Sequence, residues 1–392
     1  MKRIILSIGL LAIALTTTAQ GDYNYILSRI EANSTTLQSL REQMEAQKLG
    51  NRTGIFLSDP EVEFAYLWGN TPVNGERTDF KITQSFDFPT VYGHRDRVAK
   101  LENSNLELLY KAERLSLLLH AKQICIELVY YNALTGEVAQ RLSNAERIAA
   151  AYRAKLEKGE ANIIENNKTQ MNVISLQNEA SGIETERTIL LSELKRLNGG
   201  QEIVFEQNSY PGGILPDNFD EWYSSVVSKN PALLYANSQI TIDQEKIRLN
   251  RAQGLPKFSA GYMSEQLLGE RFQGVTVGLS IPLWNNKNRV RQAQAQLTAN
   301  QSVLADSKVA FYTRLQGLYD KAVKLKQSAL KYRVALSSFN NEHLLKRAFD
   351  AGEISLLNYL TEIEYYYEAL RRALETEKNF ELSLAELSAM DL

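Results

Sequence analysis

The sequence predicts a mainly α-helical chain with a small β part, organised as long α-helical coiled-coil hairpins joined to short strands. Three observations carry that reading. First, one residue skeleton occurs twice: Pro89 and Gly159 are answered by Pro282 and Gly352, and both pairs lie 193 positions apart (282 − 89 and 352 − 159). Second, the 70 positions from Pro89 to Gly159 (159 − 89) read as one helical run. At a rise of about 1.5 Å per residue such a helix reaches roughly 100 Å, more than a compact globular domain needs. Third, long stretches rich in Ala, Leu, Glu, Lys, Gln and Arg, with only eight prolines, describe a mostly helical protein. Internal repetition on this scale governs the fold, so it takes precedence over short motifs.

The chain opens with Met1-Lys2-Arg3, an apolar core from Ile4 to Leu15, and the small residues Thr16 to Ala19 before Gln20. A positive start, a short apolar run and an A-x-A-like site read as an export signal over 1–19. The competing reading, a membrane anchor, needs a longer apolar run to span a bilayer. No later stretch approaches the ~18 consecutive apolar residues of a membrane helix, so a membrane crossing would have to be a β-barrel. Cys125 is the single cysteine, sits in Ile124-Cys125-Ile126, and is expected to be a buried, inert thiol. No cysteine follows the signal to carry a lipid anchor. Net charge is −2, from 44 basic and 46 acidic residues, which argues against a nucleic-acid partner.

Each element has its own signal. A helical pattern runs from Asp22 to Gly50 and is closed by turn residues up to Asp59. After Pro60, Val62, Phe64, Tyr66 and Trp68 alternate with smaller or polar residues, the period-two mark of a strand with one apolar face. Gly69 to Thr78 reads as a turn, followed by a strand with Phe80, Ile82, Phe86 and Phe88 on one face and Lys81, Thr83, Ser85 and Asp87 on the other. The second half repeats the hairpin. Pro256 precedes Phe258, Ala260 and Tyr262, a polar loop is expected over Ser264 to Arg271, and Val275, Val277, Leu279, Ile281 and Leu283 then alternate with Thr276, Gly278, Ser280 and Pro282. The hairpins therefore span about 61–89 and 257–283. Four strands cannot close a membrane barrel, whose smallest forms need eight, so several copies would have to contribute. Pro60, Pro89, Pro256 and Pro282 mark barrel–helix junctions, where proline neither interrupts a ladder nor breaks a helix.

After Pro89, Leu101, Leu108 and Leu115 form one heptad column and Ala112, Leu119, Ile126 and Ala133 another, with Lys122 and Gly136 as weak points of the seam. A returning helix is expected from Ala161 to Asn198, ended by Gly199-Gly200. The expected organisation is a first repeat over 20–200, an inter-repeat linker over 201–228 containing Pro211-Gly212-Gly213 and Pro216, and a second repeat over 229–392. That second repeat comprises a helix from Asn230-Pro231 to Gly254, a long helix from about Lys287 to Ala351 and a return from Ser355 to Leu387. The two helix tips match. Lys158-Gly159-Glu160 and Ala351-Gly352-Glu353 both place glycine where a helix stops in the left-handed conformation. Paired tips at the far end of paired rods form a natural docking surface.

Val277-Gly278-Leu279-Ser280-Ile281-Pro282-Leu283-Trp284 with the following Asn285 to Gln294, Asp350-Ala351-Gly352-Glu353-Ile354-Ser355-Leu356-Leu357, and Asn230-Pro231-Ala232-Leu233 occur in this order over a duplicated frame. In this the chain resembles the TolC family of outer membrane efflux proteins over nearly all of its mature length. The resemblance implies a homotrimer, with long hairpins forming a trimeric α-barrel through the periplasm. Above it would stand a shared 12-stranded transmembrane β-barrel in the outer membrane of a Gram-negative bacterium, four strands coming from each chain. It implies a passive duct working with a periplasmic adaptor (membrane fusion) protein and an inner-membrane pump. It also places the periplasmic gate just after the glycine turns, at Glu165, Asn358 and Thr361, of which only Glu165 is acidic. A threefold ring of carboxylates there would repel anions and concentrate cations; a solvated helix position is the equal alternative for Glu165.

Tyr66, Trp68, Tyr92, Tyr262 and Trp284 lie near the expected strand ends, where an aromatic belt meets outer membrane lipid. His94, His120 and His343 are scattered without metal-ligand spacing. Nucleophile, phosphate-loop and dinucleotide motifs are missing from the sequence, so no enzyme, cofactor or metal is expected. The rival class is a periplasmic coiled-coil scaffold or adaptor without a barrel. It accounts for the rods and the export signal, but not for four alternating strands bracketed by prolines. The sequence leaves the cargo open.

Overall fold

The computed structural model describes residues 23–71, 75–284, 286–338 and 341–392, so the expected export signal and Asn285 lie outside the described residues. In chain order the elements are α1 (Tyr23–Asn33), α2 (Thr35–Gly50), β1 (Glu61–Trp68), β2 (Glu76–Phe86), α3 (Pro89–Glu157), α4 (Ile163–Leu197), α5 (Phe219–Val227), α6 (Pro231–Ala252), β3 (Lys257–Leu267), β4 (Glu270–Ser280), α7 (Arg289–Ser338), α8 (Glu342–Asp350) and α9 (Leu356–Leu387), closed by a 3-10 turn at Ser388–Asp391. They group into two compact units. One takes residues up to Thr36 with 116–215 and 317–392; the other takes 37–115 with 216–316. The long helix α3 contributes to both.

The unit of 37–115 and 216–316 holds the sheet, in order β1-β2-β3-β4 and antiparallel throughout. β2 pairs with β3, for example Ile82 with Tyr262 and Phe86 with Phe258, so the two expected hairpins join into one sheet inside a single chain. β1 and β4 remain as its edges. The starts of α5 and α6 are fixed by asparagine caps. Asn218 Oδ1 accepts from the Asp220 and Glu221 N–H groups, and Asn230 Oδ1 accepts from Leu233 N–H at 2.9 Å with Pro231 as the first helical residue. Both are the caps expected for orphan donors at a helix N-terminus.

The other unit has its main core where α1, α3 and α4 meet, among Ile26, Ile30, Leu118, Leu128, Val129, Leu194 and Leu197. Gln201–Leu215 is irregular, as its Pro and Gly content leads one to expect, yet it is packed rather than loose. Ile203 and Phe205 are buried in the same core, Tyr23 stacks on Phe205, and Asn132 Nδ2 donates to the Phe205 and Gln207 carbonyls. Side chains thus satisfy a backbone that has no ladder of its own. Within the expected linker over 201–228, α5 is an ordered helix.

Four expectations need correction. No polar loop spans Ser264 to Arg271: β3 and β4 continue to a two-residue turn at Leu268-Gly269, both with positive φ (50° and 88°). Mirror-image turns of this kind match the twist of antiparallel strands, and the pairing of Ser264 with Gln273 and Gln266 with Arg271 shows that the polar residues are ladder members. The long second-repeat helix does not run from Lys287 to Ala351. α7 begins after Asn288, held at φ 68°, and ends at Ser338, and α8 restarts at Glu342 behind Asn341. Ser337, Ser338 and Asn341 on either side are short polar residues that compete with a helix for its backbone. The first helical run is likewise divided at Ser34, where Asn33 turns its amide to Asn198 Oδ1 at 3.0 Å. Finally, the α3 seam is rotated from the expected columns. Leu118, Ala121, Cys125 and Leu128 are deeply buried; of the expected columns Ile126 is fully buried as well, whereas Leu101, Leu108, Leu115, Ala112, Leu119 and Ala133 are half-buried. Lys122 is no gap, since its Nζ meets Ser388 Oγ at 3.3 Å.

Candidate functional site

Two surfaces concentrate the features that the sequence singles out: the sheet, and the helix tips. In the sheet, register sorts the side chains into two faces. Val62, Ile82, Tyr262 and Val275 share one row, Phe86, Phe258 and Leu279 another, and Phe64 stands opposite Phe80. All of these apolar residues except Tyr262 and Phe86, which are half-buried, are exposed, with Val275 at 86%, and Val277 of the same strand face is 85% exposed. Rows on the opposite face carry Glu63 and Lys81, then Asp79 beside Glu265, then Thr83 and Thr276. Arg77 bridges the two carboxylates, with Nε 2.9 Å from Asp79 and 3.2 Å from Glu265. An apolar face left bare on one side of a polar one is costly in water and favourable against lipid. β2, β3 and β4 have 11 residues each, the length of a tilted membrane strand.

Strand and helix are tied at the junctions. Pro60 and Pro256 immediately precede β1 and β3, Pro89 is the first residue of α3, and Pro282 lies two residues beyond β4. Between β2 and Pro89, Asp87 is held by Arg95 at 2.6 Å and by Lys257 of β3 at 2.9 Å. The aromatic set divides. Tyr66 and Trp68 close β1 with their rings 6.5 Å apart, and Trp284 is 78% exposed beyond β4. Tyr262 stands mid-strand rather than at an end, because β3 runs further than expected, and its hydroxyl bonds Gln273. Tyr92 serves the junction: its hydroxyl accepts the Asp87 N–H at 2.9 Å.

The tips belong to the unit of 116–215 and 317–392. Gly159 and Gly352 both adopt φ 75°. The N–H of Glu160 reaches Lys155 O at 2.8 Å and that of Glu353 reaches Ala348 O at 2.9 Å, the six-residue closure that ends a helix on a left-handed glycine. Lys158, Gly159, Glu160, Ala351, Gly352 and Glu353 are all exposed. The tips lie side by side: Arg147 Nη1 is 3.5 Å from Asp350, and Tyr152 stacks on Phe349, which in turn stacks on Tyr359.

Glu165 has a defined local role. Its N–H donates to Asn162 Oδ1 at 2.8 Å while its carboxylate accepts from Asn162 N–H at 3.2 Å, a complete capping box at the start of α4. Asn162-Glu165 maps onto Ser355-Asn358 by the same 193 positions (355 − 162), and there Asn358 N–H donates to Ser355 Oγ at 3.2 Å. Asn358 and Thr361 are exposed, and Thr361 lines a shallow hollow with Lys168, Asn172, Glu364 and Tyr365.

Sequence reasoning missed a charged cluster just behind the tips. Arg141 of α3 reaches Glu179 of α4 at 3.4 Å and Glu364 of α9 at 3.3 Å, and lies 4.5 Å over the Tyr367 ring. Tyr367 donates to Glu342 of α8 at 3.0 Å. Glu137 is 3.6 Å from the Arg141 Nε, too far for a hydrogen bond, and its buried Oε1 has no hydrogen-bond partner. Burial pushes the Glu137 carboxyl up to about 7; Arg141 opposes the shift while Glu179, Glu364 and Glu342 add to it. The only sequence signal is the Glu137–Arg141 spacing of four, common on any helix surface.

Among the described residues no group of three or more His, Cys, Asp and Glu is arranged to hold a metal, and no helix is long and apolar enough to cross a membrane. Cys125 is fully buried and burial pushes its thiol up to about 12.

No protein-family model and no curated relative matches the sequence. Solved structures do match in fold. The Campylobacter jejuni CmeC outer membrane channel superposes with a TM-score of 0.78 at 17% identity, covering 94% of this chain and 85% of that one. The Vibrio cholerae outer membrane protein VceC gives 0.73 at 12% identity, covering 94% and 95%. The open state of the Neisseria gonorrhoeae MtrE outer membrane channel gives 0.70 at 13%, covering 94% and 88%. The chain therefore has the fold of the outer membrane channels, helices and four-stranded sheet together. That is the fold its resemblance to the TolC family implies.

Proposed function

We propose that this chain is the outer membrane channel of a tripartite efflux or secretion system: a passive trimeric duct from periplasm to exterior, gated at its periplasmic helix tips. One observation carries the reading. The sheet has open edges at β1 and β4 and an apolar face exposed along all four strands, and lipid tolerates neither an unpaired edge nor a polar lining turned outward. Both demands are met when β4 of one copy pairs with β1 of the next until the barrel closes. The residues of the other face, Arg77, Asp79, Glu265, Lys81 and Thr276 among them, then line water. Three copies give the twelve strands that the TolC resemblance implies.

The helical unit supplies the periplasmic wall, and its exposed glycine tips supply the docking points for a periplasmic adaptor coupled to an inner-membrane pump. On this reading Glu165, Asn358 and Thr361 would line the narrow periplasmic end, with Glu165 the acidic contributor among the three in each copy. A scaffold without a barrel leaves the bare apolar face unexplained. The test is outer membrane fractionation with heat-modifiable migration on gels, followed by conductance of the purified protein in planar bilayers. A β-rich trimer with ion conductance is expected; a water-soluble monomer lacking strand signal in circular dichroism would overturn the proposal.

A further inference from the structure

Within the chain, α3 of the first repeat faces α9 of the second through a charged seam. Arg141 meets Glu364, Asn144 donates to the Tyr359 hydroxyl at 2.8 Å, Lys378 lies 4.4 Å over Tyr130, and Glu137 stands among the charges around Tyr367. The repeat carries this seam elsewhere. Moved forward by 193 positions, Glu137 and Arg141 become Leu330 and Val334 of α7 (330 − 137 and 334 − 141); moved back, Glu364 and Tyr367 become Met171 and Ile174 of α4 (364 − 171 and 367 − 174). All four are apolar. All four are exposed in the single chain: Leu330 at 52%, Val334 at 64%, Met171 at 65% and Ile174 at 50%.

A spacing of four on α7 and three on α4 puts each pair on one helix face. The sheet dictates which copy covers them. Its internal pairing joins the second strand of the first repeat to the first strand of the second, and its free edges are β4 and β1, so the second repeat of one copy must adjoin the first repeat of the next. The helical seam obeys the same order, since α3 to α9 inside the chain becomes α7 to α4 between chains.

We propose that Leu330 and Val334 of one copy pack against Met171 and Ile174 of the next, so that copies are joined by an apolar seam that continues, in register and with opposite chemistry, the charged Arg141 seam inside each chain. The occupant of this exposed face is a second copy of this chain. The inference rests on the channel reading, and the assembled wall then alternates three charged seams with three apolar ones.

Co-expression of two full-length chains, one carrying Met171→Cys and the other Val334→Cys, tests it in outer membranes treated with a short bismaleimide cross-linker. Buried Cys125 stays out of the reaction. Cross-linked pairs are expected only when both variants are present, because each residue finds its partner in a different copy. Ile189→Cys with Val334→Cys is the register control: Ile189 is exposed but 18 residues further along α4 (189 − 171), about 27 Å at 1.5 Å per residue, and is expected to stay at background. Glutaraldehyde capture of wild-type trimers without the Met171–Val334 product, or equal product from the Ile189 pair, overturns the proposed seam. Absence of any glutaraldehyde trimer instead removes the channel reading beneath it.

Discussion

Replacing Glu137 with Gln should make the helices behind the tips indifferent to pH between about 5 and 7. The carboxyl is raised from 4.5 to about 7, chiefly by burial, with Glu179 of α4, Glu364 of α9 and Glu342 of α8 against it and Arg141 as the one facing cation. A carboxyl whose folded value exceeds its unfolded one binds more protons when folded. Stability is therefore fully present below about 4.5, falls as pH rises toward 7, and stays low above it. The 2.5-unit difference (7 − 4.5) corresponds to about 3.4 kcal/mol at 1.36 kcal/mol per unit. Solvent reaching this half-open cluster reduces the figure to about 2 kcal/mol. Amide hydrogen exchange over Tyr359–Tyr367, corrected for the intrinsic pH dependence of exchange, reads it directly. In the native protein, protection of this segment should fall about tenfold between pH 5 and pH 8, since more than a third of the roughly 2 kcal/mol is already lost at pH 5 and 1.36 kcal/mol is tenfold. In Glu137→Gln it should hold constant and exceed the native value at pH 8. Equal native protection at both pH values, or an undiminished fall in the variant, would refute the reasoning.

Three further outcomes are expected. Gly352→Val should loosen the second tip by at least the roughly 1–2 kcal/mol that a left-handed conformation costs a residue with a Cβ. The space around Gly352 is open, so faster proteolysis near 352 would report backbone strain alone, and Gly352→Asn should behave nearly as the native chain. Asn162→Ala removes the side-chain half of the first capping box and should destabilise the start of α4 by about 1 kcal/mol, read as increased exchange at Glu165 and Asn166. Val277→Arg puts a charge on the apolar sheet face and should cost about 2–4 kcal/mol at mid-bilayer depth, seen as a lower urea midpoint in lipid vesicles; Thr276→Arg, on the polar face, should leave the midpoint nearly unchanged.

What the sequence disclosed and what it withheld follow from the range of the interactions. Period-two alternation at Val62 to Trp68 and Val275 to Leu279 marked the strands, because pleating is local, and glycine marked both tips, because a left-handed residue needs little context. The Leu268-Gly269 turn escaped notice because leucine is an uncommon choice at positive φ, so the polar ladder residues around it read as loop. The rotation of the α3 seam was equally hidden: whether Leu118 or Leu119 faces inward depends on α1, α4 and the 201–215 segment packing around it. Arg141 was invisible for the same reason, since its partners come from α4 and α9, 38 and 223 residues away (179 − 141 and 364 − 141).

Duplication preserves backbone more strictly than side-chain chemistry, and the physical cause is visible at the tips. Gly159 and Gly352 share φ 75° and the same six-residue closure, because glycine holds that angle without the strain a Cβ imposes on most residues. Beyond the turn, Asn162 and Ser355 both cap through the third amide, yet Glu165 answers with a return bond and Asn358 occupies the matching position. A helix start demands an acceptor for its orphan donors and leaves the reciprocal bond optional. The seams behind the tips carry this freedom further. Packing fixes which positions of α3 and α9 face each other, yet the charged set Glu137, Arg141, Glu364 and Tyr367 is answered 193 positions away by the exposed apolar set Leu330, Val334, Met171 and Ile174. Charges tolerate the first setting because several helices of one chain surround Arg141 with carboxylates in fixed places. In the seam proposed between copies the partners would meet only on assembly, and burial of apolar side chains there would need no exact pairing of donors and acceptors.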